Sequence, residues 1–424
     1  MPDERLENPR RPASAVQPGP PWTSLRHRCV YAALRPFFRV YLRLAFGFHA
    51  ARFHGENPRQ PYLILANHTG PFDGFMLAMS FCRPIYFVAS DHIFRLGLAS
   101  RLIRYLIAPI PIVKSVIDTR SIRDILTIIH EGGTVGLFPS GNRSFTGPEM
   151  PIPPSTGKLA RHLAIPVLLY RIEGGYLTTP RWSRSRRLGR MTGSVVRVMM
   201  PDELAALTPG EIHRILSEVL RAAPSAGTPQ PVFRGHRLAE YLERVLFVCP
   251  KCLRMDSMRS KDDLFSCPCG FAVRYLPDGS LAPATIPAEA ELPALPDVDA
   301  FDRFQRAHIA RLIESCKDRN PWMRKPFFSD ENQLLVRTER ARRARPVMRG
   351  TMRLFADRLL FESESVGRVF PLDRLGEVLV HGPQTLQFFN REDGSVYEVR
   401  SSHPRSAYRY MLIIEALKNT SPPA

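Results

Sequence analysis

No stretch of this 424-residue sequence approaches the roughly 18 uncharged apolar residues that a bilayer-spanning helix requires. That excludes a transmembrane helix. The N-terminus, Met1-Pro-Asp-Glu-Arg through Pro20-Pro21, lacks the apolar centre of a signal peptide, and residues 1–21 are expected to be disordered. Cysteine is too sparse for a secreted disulfide framework. Of seven, four cluster at positions 249, 252, 267 and 269, while Cys29, Cys82 and Cys316 are scattered, which is the spacing of a metal site in a reducing cytoplasm. Lysine is scarce beside arginine, a bias that genome base composition explains as readily as function. Acidic residues are also outnumbered, 40 against 59 basic, leaving a net charge of +19 and a pI near 10.1. The partner is therefore expected to be anionic, either nucleic acid or the phosphates of a membrane surface. With 44% apolar residues the chain can build two or three cores.

Two stretches carry the chemistry. In the first, an apolar strand over 62–66 runs into Asn67 and His68; Gly70 and Pro71 force a turn, and a helix is expected over 72–81. His68 then stands at a strand end with Asp73 one tight turn away. A carboxylate on one imidazole nitrogen leaves the other able to take a proton from a hydroxyl; a turn histidine that caps the helix is the plainer alternative. In the second stretch, Gly133-Thr-Val-Gly-Leu-Phe138 leads into Pro139-Ser140-Gly141-Asn142-Arg143-Ser144. Gly141 admits close backbone approach, Arg143 offers a planar fork suited to phosphate, and Asn142 and Ser144 add neutral donors. Between them Ile107-Ala-Pro-Ile-Pro111-Ile-Val-Lys114 ends an apolar segment in a cation.

These blocks resemble the glycerolipid acyltransferases of the lysophosphatidate acyltransferase type. That family has His, four residues and Asp, a middle block ending in a basic residue, a Phe-Pro-Glu-Gly-Thr-Arg-Ser block, and a fourth around an Ile/Val-Pro-Val strand, here Ile165-Pro166-Val167-Leu-Leu-Tyr. The resemblance covers roughly residues 55–200. It implies His68 and Asp73 as catalytic residues and Lys114, Ser140, Gly141, Asn142, Arg143 and Ser144 as acceptor-binding residues. It also implies an acyl-CoA or acyl-carrier protein as co-substrate. Ser140 stands where the family has Glu, Asn142 where it has Thr, and Lys114 where Arg is commoner. Loss of the Glu removes a carboxylate from beside the acceptor, so either acceptor choice differs or activity is reduced; the retained His68, Asp73, Gly141 and Arg143 favour a working enzyme.

The remainder sorts into further units. Residues 22–51 read as a helix, kinked or restarted at Pro36, with Arg28, Arg35, Arg39 and Arg43 on one face and aromatic and aliphatic residues elsewhere. Such a helix suits a bilayer interface with its arginines among headgroups, or a helix docked on the domain. Residues 91–108 read as a second amphipathic helix. Strand–helix alternation over 52–223 implies an α/β domain, a mainly parallel sheet with helices on both faces. Arg181 to Arg190 reads as a basic loop, solvated or among headgroups. Thr208-Pro-Gly-Glu211 is a capping box, and 224–231 a hinge. A helix over 234–247 feeds Cys249-Pro-Lys-Cys252 and Cys267-Pro-Cys269, two knuckles whose four thiolates suit a structural zinc in a ribbon spanning 232–276. The second knuckle is one residue short of Cys-x-x-Cys, and a rubredoxin-like iron site is the alternative. Residues 277–298 read as linker and 299–320 as helix. Seven short strands and a final helix over 328–419 resemble, by order of elements, a pleckstrin-homology or GRAM-like domain; Arg340, Arg342, Arg343 and Arg345 fall in its first inter-strand loop, where such domains often hold phosphorylated lipid heads.

The expectation is thus a peripheral acyltransferase on the inner face of a membrane, moving an acyl group from a thioester carrier to a lysophospholipid or glycerol phosphate. Two rivals are a catalytically inert lipid-binding protein of the same fold and a zinc-ribbon nucleic-acid-binding protein. Against the last, positive charge is spread along the chain and the ribbon carries Asp256, Asp262 and Asp263, so no nucleic acid is expected.

Overall fold

The computed structural model describes residues 22–90, 98–112, 119–221, 231–284, 293–315, 323–338, 345–364, 366–403 and 405–420. Residues 1–21, Lys114, most of the hinge and Arg340, Arg342 and Arg343 lie outside them.

Helix α1 (Leu25–Phe46) starts at Ser24, whose hydroxyl accepts the His27 N–H, and continues through Pro36. It ends before the expected residue 51 because Gly47 turns left-handed at φ 64°, where a Cβ would sit 2.1 Å from the Gly189 carbonyl oxygen. The chain goes straight into β1 (Phe48–Ala50). Then follow β2 (Leu63–Ala66), α2 (Asp73–Ala78), β3 (Ile85–Ser90), α3 (Leu98–Ile107), β4 (Ile110–Ile112), α4 (Thr119–His130) and β5 (Thr134–Leu137). The domain closes with α5 (Ser155–His162), β6 (Val167–Glu173), α6 (Gly175–Thr178), β7 (Met191–Met199), α7 (Pro201–Ala206) and α8 (Pro209–Arg221). The sheet order is β1-β7-β6-β2-β5-β3-β4, with only the β6–β7 pairing antiparallel. The expected α/β sheet is therefore present.

Strand β2 shows why it sits at the centre. Its four residues are all buried, Ile64 and Ala66 packing with α1 and α2 residues on one face, Leu63 and Leu65 with α4 and α8 residues on the other. A strand covered on both faces needs apolar residues at every position, not alternate ones. The capping box holds as read: Thr208 and Glu211 exchange side-chain-to-backbone hydrogen bonds at 2.8 and 3.2 Å.

The expected helix over 234–247 does not form. Only a 3-10 turn at Leu242–Arg244 is helical, and Arg237 and Tyr241 have positive φ. The amides that a helix would use are taken by the ribbon: Leu238 N–H donates to Asp263, Ala239 N–H to the Asp262 carbonyl and Tyr241 N–H to Ser260. The ribbon itself is an antiparallel sheet of β8 (Arg259–Lys261), β9 (Leu264–Ser266), β10 (Ala272–Tyr275) and β11 (Leu281–Pro283). Strand β11 falls inside the segment expected to be linker.

Helix α9 (Val298–Ser315) leads to β12 (Phe328–Thr338), β13 (Arg345–Leu354), β14 (Arg358–Glu362), β15 (Gly367–Pro371), β16 (Leu375–His381), β17 (Thr385–Asn390) and β18 (Ser395–Ser401). These seven strands pair antiparallel in the order β15-β14-β13-β12-β18-β17-β16, and α10 (Ala407–Thr420) packs on them. Ribbon, α9 and sheet are not beads on linkers. They share one core, which also takes in Phe145 and Trp182 from the first domain. Gln305 of α9 fastens the segment before the ribbon, accepting from Phe247 N–H and donating to the Val245 carbonyl at 3.0 and 2.8 Å.

No helix among the described residues is long and apolar enough to cross a membrane. Phe37, Val40 and Leu44 of α1 and Leu98, Leu102 and Tyr105 of α3 are nonetheless all more than half exposed. The arginine stripe of α1 is divided: Arg35 and Arg39 turn back to donate to the Met79 carbonyl, so those two are tied to the domain and not extended outward.

Candidate active site

Strands β2 and β5 are neighbours and parallel, so the loops leaving their C-terminal ends meet above the sheet edge. This topology brings the two sequence stretches together. Asn67 ends β2 by pairing both ways with Ile172 of β6, donating at 2.9 Å and accepting at 2.8 Å, which fixes the chain just before His68. The His68 carbonyl accepts the Ser144 N–H at 3.0 Å, tying one loop to the other. The His68 ring stacks on Phe138 at 4.6 Å between centroids.

Asp73 is buried at the start of α2. Its Oδ2 accepts from His68 Nδ1 at 2.9 Å, from Thr69 N–H at 2.5 Å and from Gly70 N–H at 2.8 Å. Two backbone donors therefore hold the carboxylate independently of the imidazole. A carboxylate on Nδ1 sets the tautomer and stabilises an imidazolium. Nε2 is then the nitrogen suited to take a proton.

His68 opens on a cavity of about 580 Å³. Gly141, Asn142 and Arg143 line it beside the histidine; Ser140 and Ser144 do not. Ser144 instead shapes its own loop, its buried hydroxyl accepting the Gly147 N–H at 2.8 Å. Gly141 is left-handed, φ 66°, as its proposed role in close approach requires. The rest of the cavity is an apolar trough between α1 and α3, walled by Leu34, Phe38, Phe75, Ile103 and Leu106 among others. Burial lowers the pKa of Arg143, opposed by the negative charge of Asp73.

Four features of the candidate site escaped the sequence reading. Thr69 supplies a second hold on Asp73, its hydroxyl 3.3 Å from Oδ1. Glu149, only 4% exposed, brings a carboxyl to this loop: its Oε2 accepts the His68 N–H at 2.7 Å, while the Ser140 hydroxyl donates to the Asn142 carbonyl at 3.0 Å. A buried carboxyl thus stands beside His68 nine residues after Ser140, where the sequence reading placed none. Burial pushes its pKa up to about 8, against the opposing effects of Ser140 and the His68 amide. Arg181 is the third. The loop it begins was expected to be solvated or among headgroups, yet Arg181, Trp182 and Arg187 are buried, because Trp182 joins the shared core and Arg187 donates to Tyr275 and the Leu238 carbonyl. The fourth is the end of β16 with the turn that follows, whose Val380, His381 and Gly382 reach the cavity from the C-terminal sheet.

The four clustered cysteines come together away from this cleft, their sulfurs all within 4.8 Å of one another. Cys249 and Cys269 are 3.5 Å apart, Cys252 and Cys267 3.8 Å. Tetrahedral ligands about 2.3 Å from a zinc lie about 3.8 Å from each other, so the cluster fits that ion. It is much too open for disulfides.

The Acyltransferase family model matches residues 50–172. Among solved structures, the 1-acyl-sn-glycerophosphate (LPA) acyltransferase PlsC from Thermotoga maritima aligns over 46% of this chain and 78% of its own, at 19% identity and a TM-score of 0.39. The apo structure of the activated truncation of Vav1 aligns over 30% of this chain and 38% of its own, at 13% identity and a TM-score of 0.19. Over residues 50–172, the span that contains both His68 with Asp73 and the Phe138 loop, the chain is similar to the acyltransferase family.

Proposed function

We propose that the protein transfers a fatty acyl group from a thioester carrier, acyl-CoA or acyl-carrier protein, to the hydroxyl of a lysophospholipid or glycerol phosphate. The observation that carries this reading is a histidine held by a buried carboxylate at the mouth of an apolar trough. His68 Nε2 takes the acceptor's hydroxyl proton as that oxygen attacks the thioester carbonyl carbon. Collapse of the tetrahedral intermediate breaks the C–S bond, and the imidazolium returns the proton to the departing thiolate. Asp73 stabilises the imidazolium throughout. Transfer is direct, since Ser144 is engaged in its own loop and Ser140 is turned to the Asn142 carbonyl. The trough receives an acyl chain; Arg143, with Gly141 and Asn142 beside it, faces the acceptor phosphate, and Lys114 is a further candidate cation.

The exposed apolar residues of α1 and α3, whose neighbours Phe38, Ile103 and Leu106 line the trough, support attachment of this face to a membrane surface. Cys249, Cys252, Cys267 and Cys269 hold a structural zinc, which leaves no open coordination position for catalysis. The C-terminal sheet with its helix matches a pleckstrin-homology-like order of elements.

The test uses the purified protein, a panel of lysophospholipids in vesicles and radiolabelled acyl-CoA. Transfer that depends on His68 supports the reading. A folded, zinc-loaded protein that binds lysolipid and transfers nothing would favour the inert lipid-binding alternative.

A further inference from the structure

The cleft has a wall that belongs to the other half of the molecule. Val380 and His381, at the end of β16, and Gly382, which begins the turn to β17, line the same cavity as His68 and Arg143. Arg181 fixes that turn in place. Its Nε donates to the Gly382 carbonyl at 2.9 Å and its Nη2 to the Val380 carbonyl, while Nη1 donates to the Arg143 carbonyl at 2.8 Å. The guanidinium also lies 4.0 Å over the Phe145 ring.

All three acceptors are neutral backbone carbonyls. Among the described residues no carboxylate pairs with Arg181, although it is only 5% exposed. Burial holds its pKa well down, and the nearby Arg143 charge adds to the effect. Arg143 and Arg181 both border the one cavity, and a single carboxylate, Asp73, acts on either of them. Buried cations without counter-ions are costly, and guanidinium forks are the groups best matched to a phosphate dianion.

Resting on the acyl-transfer reading, we infer that the acceptor's phosphate monoester is bound between Arg143, Arg181 and the 380–382 turn. His381 closes the space beyond the phosphate. The C-terminal sheet is then part of the active site, and it decides which headgroups enter: a bare phosphate fits, whereas a phosphate carrying choline or ethanolamine must pass His381.

The experiment separates binding from turnover. Titration calorimetry on the full-length protein uses short-chain lysophosphatidate below its micellar concentration, lysophosphatidylcholine of the same chain, sn-glycerol 3-phosphate and inorganic phosphate. Charge-assisted hydrogen bonds of this kind support an expected loss of about tenfold or more in lysophosphatidate affinity for Arg181→Met. His381→Ala, at the half-buried end of β16, should narrow the preference for lysophosphatidate over lysophosphatidylcholine several-fold. Weak but Arg181-dependent binding of glycerol 3-phosphate and inorganic phosphate identifies the phosphate as the recognised group. If both variants, folded by circular dichroism, bind all four ligands as the wild type does, or if the wild type binds none, the inference is wrong. If the wild type binds lysophosphatidate through Arg181 and His381 yet transfers no acyl group, the site stands and the enzymatic reading falls.

Discussion

Replacing Glu149 by Gln gives a test that depends on one buried carboxyl. The change keeps the shape and the acceptor for the His68 N–H but removes the ionisable group. Glu149 titrates near 8 in the folded chain against 4.5 when unfolded. Between those values the folded state holds a proton that the unfolded state has released, so the wild type loses stability as pH rises from about 4.5 to about 8 and is level outside that window. The slope is at most about 1.4 kcal/mol per pH unit. From pH 5.5 to 7.5 this amounts to about 3 kcal/mol, and relaxation around a newly formed charge reduces it to about 1–2 kcal/mol. Asp73 reinforces the shift and Arg221 opposes it, but both are smaller than the burial itself. Glu149→Gln should lack this slope. Calorimetric scans of both proteins at pH 5.5 and 7.5 should show the variant's midpoint gaining a few degrees on the wild type's between the lower and the upper pH. If the two midpoints move in parallel with pH, the carboxyl is ionised in the folded chain and the account of the Ser140 loop is wrong.

His68→Ala should lower acyl transfer by about 10²- to 10⁴-fold with the calorimetric midpoint nearly unchanged, and Asp73→Asn should lower it through the wrong tautomer; turnover near wild type in folded His68→Ala would end the catalytic reading. Elemental analysis should find one zinc per chain, lost on Cys252→Ser or Cys267→Ser, and neither zinc nor iron would dismiss the thiolate site. Ser140→Glu places a second carboxyl against Glu149 and should depress activity on every acceptor, whereas Ser140→Glu/Glu149→Ser should recover much of it; a double variant no better than the single would mean the two positions do not share one role.

What the sequence disclosed depended on how local the information was. His68 and Asp73 lie five residues apart, so one turn sets their geometry, and the apolar residues on both sides of β2 announced a strand buried in a parallel sheet. The four cysteines were legible for the same reason, as two short knuckles. Glu149 was not, because its carboxyl reaches Ser140 and His68 only after the loop folds back. Arg181 was harder still. Its arginine-rich loop has the composition of a solvated segment, and its acceptors at positions 380 and 382 are some two hundred residues away. The expected helix over 234–247 failed on the same ground: its amides find partners in the ribbon, which periodicity within the segment does not record.

The core shared by ribbon, α9 and C-terminal sheet bears on how this protein can be inherited or cut. A catalytic module that gains an accessory module through a flexible hinge can lose it again, and either half can be swapped between proteins. Here Phe145 lies two residues beyond Arg143 and packs its ring 4.4 Å from Tyr408 of α10, while Thr146 bonds to Asp299 of α9. Severing the chain near residue 224 would strip that loop of its apolar cover and leave the Arg181 guanidinium without two of its carbonyl partners. The two halves are consequently not portable: any change in one that shifts Val380 to Gly382 alters the wall of the cavity beside His68, which ties their evolution together.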